Sequence, residues 1–532
     1  MSNLVPGKSR RSVLAVGLLT VLSTGAVPAL QRADAAPAAP TPSGRAAAQV
    51  DAPIPDITWR PCSGGLRCAT VQVPLDYDDP AGPKTALALT KRPARDPGER
   101  VAALFVNPGG PGESATESVP WFAENLPQEV VRRFDVVGID PRGVGGSTPL
   151  SCRTDAPVRP PEAAFPHTER EVRQQLRYDR QVNRACTEGG DRIMHHMTTA
   201  DTARDMDLVR QALGEERLTY YGISYGTYLG ATYAAMFPGR IRAMAVDGVI
   251  DPIAYATGHR PGESRHTPTT TRWNSAAGAH EALTSAFAEC DRVGPERCPI
   301  AGDSAGTWRR VFDRIERGPV EVGGEPFTYQ DLVGRAGAGL RGYEEYLPLM
   351  EFIGRTHDAI FDGAAGPASP LPSGGPSARP GAQAGPVAPA TAAIVCADSR
   401  NPEHPRAWIG AAARSDRRAP GFGGLWTWRS SLCAGWPGSS SDAFQGPFAT
   451  RTSAPALVIG TTHDPATPIS GARTLNGLLK DSRLLTVDGW GHGALGESRC
   501  LGVHVQRYLI SGTPPRPGTV CRQDAPPFPE RG

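Results

Sequence analysis

The sequence predicts an α/β fold in which a mostly parallel sheet is flanked by helices and carries an inserted, mainly helical cap. Short apolar runs of strand type alternate with helical runs through residues 54–252 and again through residues 451–532. Between these two parts of the core, residues 253–450 show helical pieces and loops instead. Because this segment interrupts the alternation between two strands, we expect it to lie above the carboxyl ends of the strands, where such sheets bind ligands.

The predicted elements follow this alternation in order along the chain. Strands are predicted at 69–75, 85–90, 101–106, 134–139, 218–222, 241–246, 456–459 and 482–487. Core helices are predicted at 200–213, where Thr199 or Asp201 would cap the N-terminus, and at 227–237 and 504–510. The cap should contain helices at 276–290, 307–317, 329–340 and 346–361.

The N-terminal 35 residues have the pattern of an export signal. Lys8, Arg10 and Arg11 form a basic region, an apolar run covers 13–30, and Ala33-Asp34-Ala35 is a small-residue cleavage site. The residues around Arg10 and Arg11 also fit the twin-arginine pattern. A membrane anchor is the alternative, but Gly, Thr, Ser and Pro interrupt the apolar run and no second span follows. We therefore expect a secreted protein.

Two further segments have compositions that argue against a packed core. Residues 36–53 are rich in Ala and Pro, which is typical of a flexible leader or short pro-segment. Residues 363–390 consist almost wholly of Gly, Ala, Pro and Ser and bury too little apolar surface to order themselves. We expect this second run to be a disordered loop within the cap.

Charge and cysteine content narrow the classes of partner and cofactor. The net charge of +2 over 532 residues gives no indication of nucleic-acid or anionic-membrane binding. Cys62 and Cys68 have a metal-like spacing, but no second pair or histidine cluster completes a zinc site. We predict no metal and no cofactor, and disulfides joining the ten cysteines in sequence order: Cys62–Cys68, Cys152–Cys186, Cys290–Cys298, Cys396–Cys433 and Cys500–Cys521.

The stretch from Leu218 to Gly226 has the pattern of a nucleophile turn. A short β-type run ends at Gly222, an alanine-rich helical run starts at Thr227, and Ser224 lies between them in the pattern G-x-S-x-G. The glycines permit a turn too sharp for side chains at their positions. This turn would expose the Ser224 hydroxyl and leave the backbone N–H of Tyr225 able to stabilise an oxyanion.

A serine nucleophile needs a base and an acid that orients the base. In sheets of this type the chain order is Ser, then Asp or Glu, then His. Asp464 follows the predicted strand 456–459, and His492 follows the predicted strand 482–487, so both lie at strand ends. Asp247, at the end of strand 241–246, is an alternative acid. His463 is adjacent to Asp464 but lies on the wrong loop to be the base.

The loop after strand 101–106 is predicted to supply the second oxyanion donor. Asn107-Pro108-Gly109-Gly110-Pro111-Gly112 combines glycines, which let the backbone approach a substrate, with prolines that stiffen the loop. We predict the N–H of Gly110 as the donor, with Gly109 next. Asp140 and Arg142 follow a nearby strand end, and we expect Arg142 to brace the glycine loop.

These motifs together resemble the proline iminopeptidase family of α/β-hydrolases. The resemblance runs from about Trp59 to Cys521, and Asp464-Pro465-Ala466-Thr467-Pro468, Gly491-His492-Gly493 and Gly518-Thr519-Val520-Cys521 are similar to the secreted bacterial tripeptidyl aminopeptidase branch. It implies an exported serine exopeptidase that releases tripeptides, other short peptides or single residues from free N-termini. It also implies Ser224 as nucleophile, Asp464 as acid and His492 as base. Asn107-Pro108 departs from the His that usually begins the iminopeptidase oxyanion loop.

Two alternatives to an exopeptidase remain open from the sequence. One is a secreted carboxylesterase acting on short acyl esters, and the other is a hydrolase-like binding protein that has lost catalysis. The complete Ser–Asp–His order argues against the second. An exopeptidase must also hold the cationic α-amine of its substrate, and Glu344 and Glu345, flanked by tyrosines in the cap, are the predicted amine-binding pair. The sequence gives no indication of the oligomeric state.

Overall fold

The computed structural model describes residues 50–152, 158–363, 389–438 and 441–530. The predicted export signal, most of the predicted leader and residues 364–388 of the predicted loop therefore lie outside the described residues.

The main sheet has the strand order β1-β2-β3-β5-β4-β6-β7-β11-β13-β14. Pairing is antiparallel from β1 to β5 and parallel from β5 to β14, so the sheet is mostly parallel, as predicted. The strands are β1 (Arg60–Pro61), β2 (Arg67–Pro74), β3 (Lys84–Arg92), β4 (Ala102–Asn107), β5 (Phe134–Ile139), β6 (Leu218–Ile223), β7 (Ile241–Asp247), β8 (Val320–Val322), β9 (Glu325–Phe327), β10 (Thr450–Arg451), β11 (Leu457–His463), β12 (Leu479–Lys480), β13 (Arg483–Trp490) and β14 (Val520–Arg522).

The helices cover both faces of the main sheet and form the inserted segment. In chain order they are α1 (Ala115–Asn125), α2 (Gln128–Arg133), α3 (Glu169–Gly189), α4 (Thr199–Ala212), α5 (Tyr225–Met236), α6 (Pro252–Ala256), α7 (Thr269–Arg272), α8 (Ser275–Val293), α9 (Ser304–Glu316), α10 (Tyr329–Gly339), α11 (Tyr346–Phe361), α12 (Pro389–Asp398), α13 (Arg406–Asp416), α14 (Phe422–Thr427), α15 (Ile469–Leu478) and α16 (Arg499–Ser511).

The central strands are apolar along their whole length because both faces of the sheet are covered. Every residue of β4, β5 and β6 is buried. Successive side chains of a strand point to opposite faces, and accordingly Tyr220 belongs to one apolar cluster and Tyr221 to the other. This double burial explains why these strands appear in the sequence as continuous apolar runs.

The cap is inserted between two strands that are hydrogen-bonded neighbours. β7 pairs with β11, and Ala245 lies opposite Leu457, although helices α6 to α14 separate the two strands in sequence. The inserted helices have an apolar core of their own, which includes Leu283, Phe312 and Ile353. The predicted fold class, a mostly parallel sheet with an inserted helical cap, is confirmed.

Several local features differ from the prediction or were not predicted, including the cap of α4, helix α3 and the β8–β9 hairpin. Thr198, rather than Thr199 or Asp201, caps α4, and Asp201 accepts from the Thr198 N–H at 3.3 Å as the third helical residue of a capping box. Helix α3 was missed because charged residues dominate it and its apolar positions are few. The β8–β9 hairpin in the cap was also missed, since each strand has only three residues.

All ten cysteines form disulfides, and the five predicted pairs are confirmed. Cys500–Cys521 joins α16 to β14, and Cys396–Cys433 joins α12 to the turn that follows α14. Within the described part of the chain, no helix is both long enough and apolar enough to cross a bilayer.

Candidate active site

Ser224 lies in a strained turn between β6 and α5. Its φ of 57° and ψ of −123° fall where residues other than glycine are uncommon. A Cβ atom on Gly222 would come within 2.5 Å of the Gly226 carbonyl oxygen, and one on Gly226 would come within 2.7 Å of the Asn107 carbonyl oxygen. The close approach of these backbones explains both glycines of the G-x-S-x-G pattern.

Asp464 and His492, from the loops after β11 and β13, are in direct contact. The two carboxylate oxygens of Asp464 lie 3.0 and 3.1 Å from His492 Nδ1, and both residues are buried. The backbone N–H of Gly493 donates to Asp464 Oδ2 at 3.2 Å. Two strand-end loops thus bring together the residues that the sequence predicts as acid and base.

Further donors hold the Asp464 carboxylate in its ionised form. The N–H groups of Ala466 and Thr467 donate to Oδ1 at 2.9 and 2.8 Å, and the Thr467 hydroxyl donates to Oδ2 at 2.8 Å. Burial alone would raise the pKa of Asp464, but the charge of His492 and these hydrogen bonds outweigh it and hold the pKa below its usual range. An ionised carboxylate at this position can accept the Nδ1–H of His492 and fix its orientation.

Thr467 was not predicted as a site residue, although its position can be inferred from sequence. Its hydroxyl lies 3.1 Å from His492 Nδ1 while it donates to Asp464, so it contacts both members of the pair. It is three residues beyond Asp464, in the same turn. An aspartate that begins a turn commonly bonds groups two and three residues on, which is the signal that could have identified it.

The two alternatives considered from sequence have other contacts. The Asp247 carboxylate accepts from the Tyr221 hydroxyl and from the N–H groups of Ala494 and Leu495. The Asp247 carboxylate thus holds the loop that follows His492. Burial raises the pKa of Asp247. His463 lies 2.8 Å from the Glu281 carboxylate and stacks on Trp490, at the boundary between β11 and cap helix α8.

The glycine loop after β4 packs directly against the nucleophile turn. A Cβ on Gly109 would lie 2.8 Å from the Ser224 Cβ and 3.0 Å from the Tyr225 nitrogen, so only glycine fits there. The N–H of Gly109 donates to Asn107 Oδ1 at 3.1 Å, whereas Gly110 lines the same cleft as Ser224. This geometry favours Gly110 over Gly109 as the oxyanion donor beside Tyr225.

The expectation that Arg142 braces the glycine loop is wrong. Arg142 is buried, forms two 2.8 Å contacts with the Asp205 carboxylate on α4, and donates to the Pro74 carbonyl at the end of β2. Asp140 instead supports the segment that follows the glycine loop, because it accepts from the Thr116 N–H and the Ser114 hydroxyl, each at 2.9 Å. Arg142 contacts α4 instead of the glycine loop because α4 lies beside it, and the position of this helix could not be predicted from the sequence.

Ser224 opens into a cleft between the core and the cap. Its lining combines hydroxyl, aromatic and cationic side chains with the glycine loop: Gly110, Pro111, Ser224, Ile250, Thr270, Trp273, Arg341, Thr391, Val395, Trp426, Arg429, Ala466 and Thr467. Neither Arg341 nor Arg429 was predicted as a site residue, because both belong to the cap and no motif marks them.

The predicted amine-binding pair lies close to the His492 loop but not on the cleft wall. The His492 N–H donates to the Arg341 carbonyl at 2.8 Å, which fixes the segment that leads to the turn Tyr343–Glu345. Glu344 is exposed, and burial together with the charge of Glu344 raises the pKa of Glu345. From this segment it is Arg341, among the described residues, that lines the cleft.

Family comparisons agree with this fold. A model described as "alpha/beta hydrolase fold" matches residues 102–263, and a model described as "TAP-like protein" matches residues 419–521. The two matches cover the nucleophile turn and the loops of Asp464 and His492. The chain is thus an α/β-hydrolase.

Curated relatives match over most of the chain. Serine protease Hip1 of Mycobacterium tuberculosis (strain ATCC 25618 / H37Rv) is 32% identical and covers 87% of this chain and 91% of its own. Tripeptidyl aminopeptidase of Streptomyces lividans is 30% identical and covers 91% and 90%. Carboxylesterase B of the same Mycobacterium strain is 33% identical and covers 86% of both chains. The chain therefore belongs to the TAP-like family of serine hydrolases, and the resemblance drawn from its motifs is confirmed.

Proposed function

We propose that this protein is an exported serine exopeptidase that releases short peptides, tripeptides above all, from free N-termini. The single observation that supports it most is the buried Asp464–His492 contact beside the strained turn of Ser224. Two of the relatives are a serine protease and a tripeptidyl aminopeptidase, and both align over most of their length. Ten cysteines paired in five disulfides favour an oxidising compartment outside the cytoplasm.

The proposed reaction is acyl transfer in two steps. Ser224 Oγ attacks the scissile carbonyl while His492 accepts its proton, and Asp464 orients the imidazole and stabilises its charged form. His492 then returns the proton to the leaving amine, and an acyl-enzyme on Ser224 remains. Water, activated by His492, releases the peptide in the second step. The N–H groups of Tyr225 and Gly110 stabilise the oxyanion in both steps.

A secreted carboxylesterase is the second candidate, and the relative named Carboxylesterase B favours it. The same acyl-enzyme chemistry serves esters, so the nucleophile and base do not discriminate between the two activities. A binding protein without catalysis is the third candidate. The buried Asp464–His492 contact and the strained turn of Ser224 argue against it.

The test compares an unblocked peptide with its N-acetylated twin and with a short acyl ester. We expect mass spectrometry to show a fragment of fixed length released from the unblocked peptide and no cleavage of the acetylated one. Equal cleavage of both peptides would refute an exopeptidase, and turnover of the ester alone would favour the carboxylesterase. A fluorophosphonate that labels neither Ser224 nor any other residue would favour the binding protein.

A further inference from the structure

Cap helix α8 packs along the loop that carries Asp464. The hydroxyl of Ser275, the first residue of the helix, donates to the Ala466 carbonyl, and Ser275 is fully buried. One turn further on, the helix backbone at Gly278 approaches the same loop. A Cβ atom on Gly278 would lie 2.9 Å from the Asp464 carbonyl oxygen and 2.6 Å from Pro468 Cγ. This close approach of helix and loop requires glycine at that position.

The following turns of α8 contact the residue that precedes the acid. The Glu281 carboxylate lies 2.8 Å from His463 Nδ1, and the Ser285 hydroxyl lies 3.2 Å from His463 Nε2. Both ring nitrogens of His463 thus have partners on α8. The His463 carbonyl in turn accepts from the Gly491 N–H, in the loop of the base, at 3.3 Å. The helix therefore contacts the acid loop on both sides of Asp464.

These contacts differ in kind from those that the Asp464 side chain makes within its own loop. The N–H groups of Ala466 and Thr467 orient the carboxylate, but they belong to the loop and would move with it. Helix α8 contacts the loop from outside, through its backbone carbonyls and the His463 ring. A misplacement of about 1 Å at a catalytic group can lower the rate by about 100-fold. The position of the loop as a whole is therefore as important as its internal hydrogen bonds.

We propose that α8 positions the catalytic acid, with Ser275 and Gly278 as positioning residues that act through the loop of Asp464. The cap would then take part in the reaction chemistry as well as in the binding of substrate. The inference rests on the proposed function, since it takes Asp464 as the acid. In the described part of the chain, Ser275 and Gly278 are not among the residues that line the cleft. A change at either residue should therefore affect kcat more than KM.

The main test is Gly278→Ala, which places a methyl group against the Asp464 carbonyl. On an unblocked peptide and on a short acyl ester, kcat should fall by roughly 10–100-fold with a much smaller change in KM, because the acid is displaced. The matched control is Gly334→Ala on α10, where an added Cβ meets no atom within 4 Å. An unchanged kcat in Gly278→Ala, or an equal loss in both variants, would overturn the inference.

Ser275→Ala tests the same contact without adding an atom, so it remains informative if Gly278→Ala does not fold. Loss of the hydroxyl that holds the Ala466 carbonyl should lower kcat by roughly threefold to tenfold. The matched control is Ser304→Ala, which removes a buried hydroxyl that donates to Asp291 near the opposite end of α8. Thermal unfolding measures the stability of each variant. Equal destabilisation of the two serine variants, with a normal kcat in both, would make the Ser275 contact purely structural and overturn the inference.

The contact between α8 and His463 should give a smaller effect. Glu281→Ala removes a partner of the His463 ring and should lower kcat by roughly twofold to fivefold, the range expected for a partly exposed carboxylate contact. The control is Glu289→Ala on the same helix, whose carboxylate pairs with Arg292 instead. An equal effect of the two glutamate variants would show that His463 does not link α8 to the acid loop.

A spectroscopic measurement separates this inference from the proposed function, because it needs no turnover. The proton shared by His492 Nδ1 and Asp464 should give a low-field signal in the proton NMR spectrum, and His492→Ala identifies it by its loss. This signal should shift or broaden in Gly278→Ala but not in Gly334→Ala. An altered signal in a protein whose wild type cleaves neither peptide nor ester would refute the proposed function but support the role of α8. Normal cleavage with an unaltered signal in Gly278→Ala would do the reverse.

Discussion

The two sides of the cleft around Ser224 are held in different ways. On the core side, Asp464 is fully buried and accepts hydrogen bonds from neighbours in its own turn and from the His492 loop. On the cap side, Arg341 and Arg429 come from helical segments far apart in sequence, and Glu344 nearby is exposed. The Asp464–His492 contact is thus built from short local turns, whereas the cap side of the cleft is assembled from segments that are distant in sequence. Substitutions on the core side should lower turnover, and those on the cap side should change which substrates are used.

The largest effect should come from the core side. Ser224→Ala and His492→Ala should each lower kcat by roughly 10⁴–10⁶-fold, and Asp464→Ala somewhat less, because the nucleophile, base and acid act as one unit. Steady-state kinetics on an unblocked peptide measures this. If Asp464→Ala were nearly neutral while Asp247→Ala crippled the enzyme, the assignment of the acid would be wrong.

On the cap side, the paired change Glu344→Gln and Glu345→Gln examines the predicted amine site. If these carboxylates hold the α-amine, kcat/KM on a free-amine peptide should fall by roughly 100-fold while turnover of a small acyl ester survives. The ester is the internal control, since it has no amine. Equal loss on both substrates, or loss on neither, would place the amine site elsewhere in the cap.

Thr467 should give a smaller effect on the core side. Thr467→Val keeps the shape of the side chain but removes the hydroxyl that contacts both Asp464 and His492, so kcat should fall roughly tenfold with little change in KM. Thr467→Ser, which keeps the hydroxyl, should restore most of the rate. A valine variant with normal kcat would show that the hydroxyl does not position the pair.

The smallest effect concerns stability at the joint between core and cap. Asp398, at the end of α12, accepts from the Thr199 hydroxyl at 2.6 Å, and burial raises its pKa to about 7. Because a carboxyl in the unfolded chain ionises near pH ~4, the native state loses stability relative to it as pH rises from about 4 to about 7. Urea unfolding should therefore show Asp398→Asn gaining stability relative to the wild type across this window. A difference that is independent of pH would contradict the raised pKa.

The same contrast explains which features the sequence could predict. The turn of Ser224 and the loops of Asp464 and His492 were identified because each motif directly follows an apolar run, and parallel strands bring their carboxyl ends to one edge. The five cysteine pairs were predictable because each pair lies within one local segment. The partner of Arg142 was not, because Asp205 lies on α4 and no local pattern reveals that this helix packs beside Arg142. Arg341 and Arg429 were missed for the same physical reason.

The disulfide between Cys396 and Cys433 has a practical consequence for anyone who produces this protein. It fastens α12, whose Thr391 hydroxyl donates to the Pro111 carbonyl at 3.0 Å, to the short turn that carries Arg429. Material made in a reducing cytoplasm would lack this tie. Because α12 also contacts the glycine loop, activity should be measured only on fully oxidised protein.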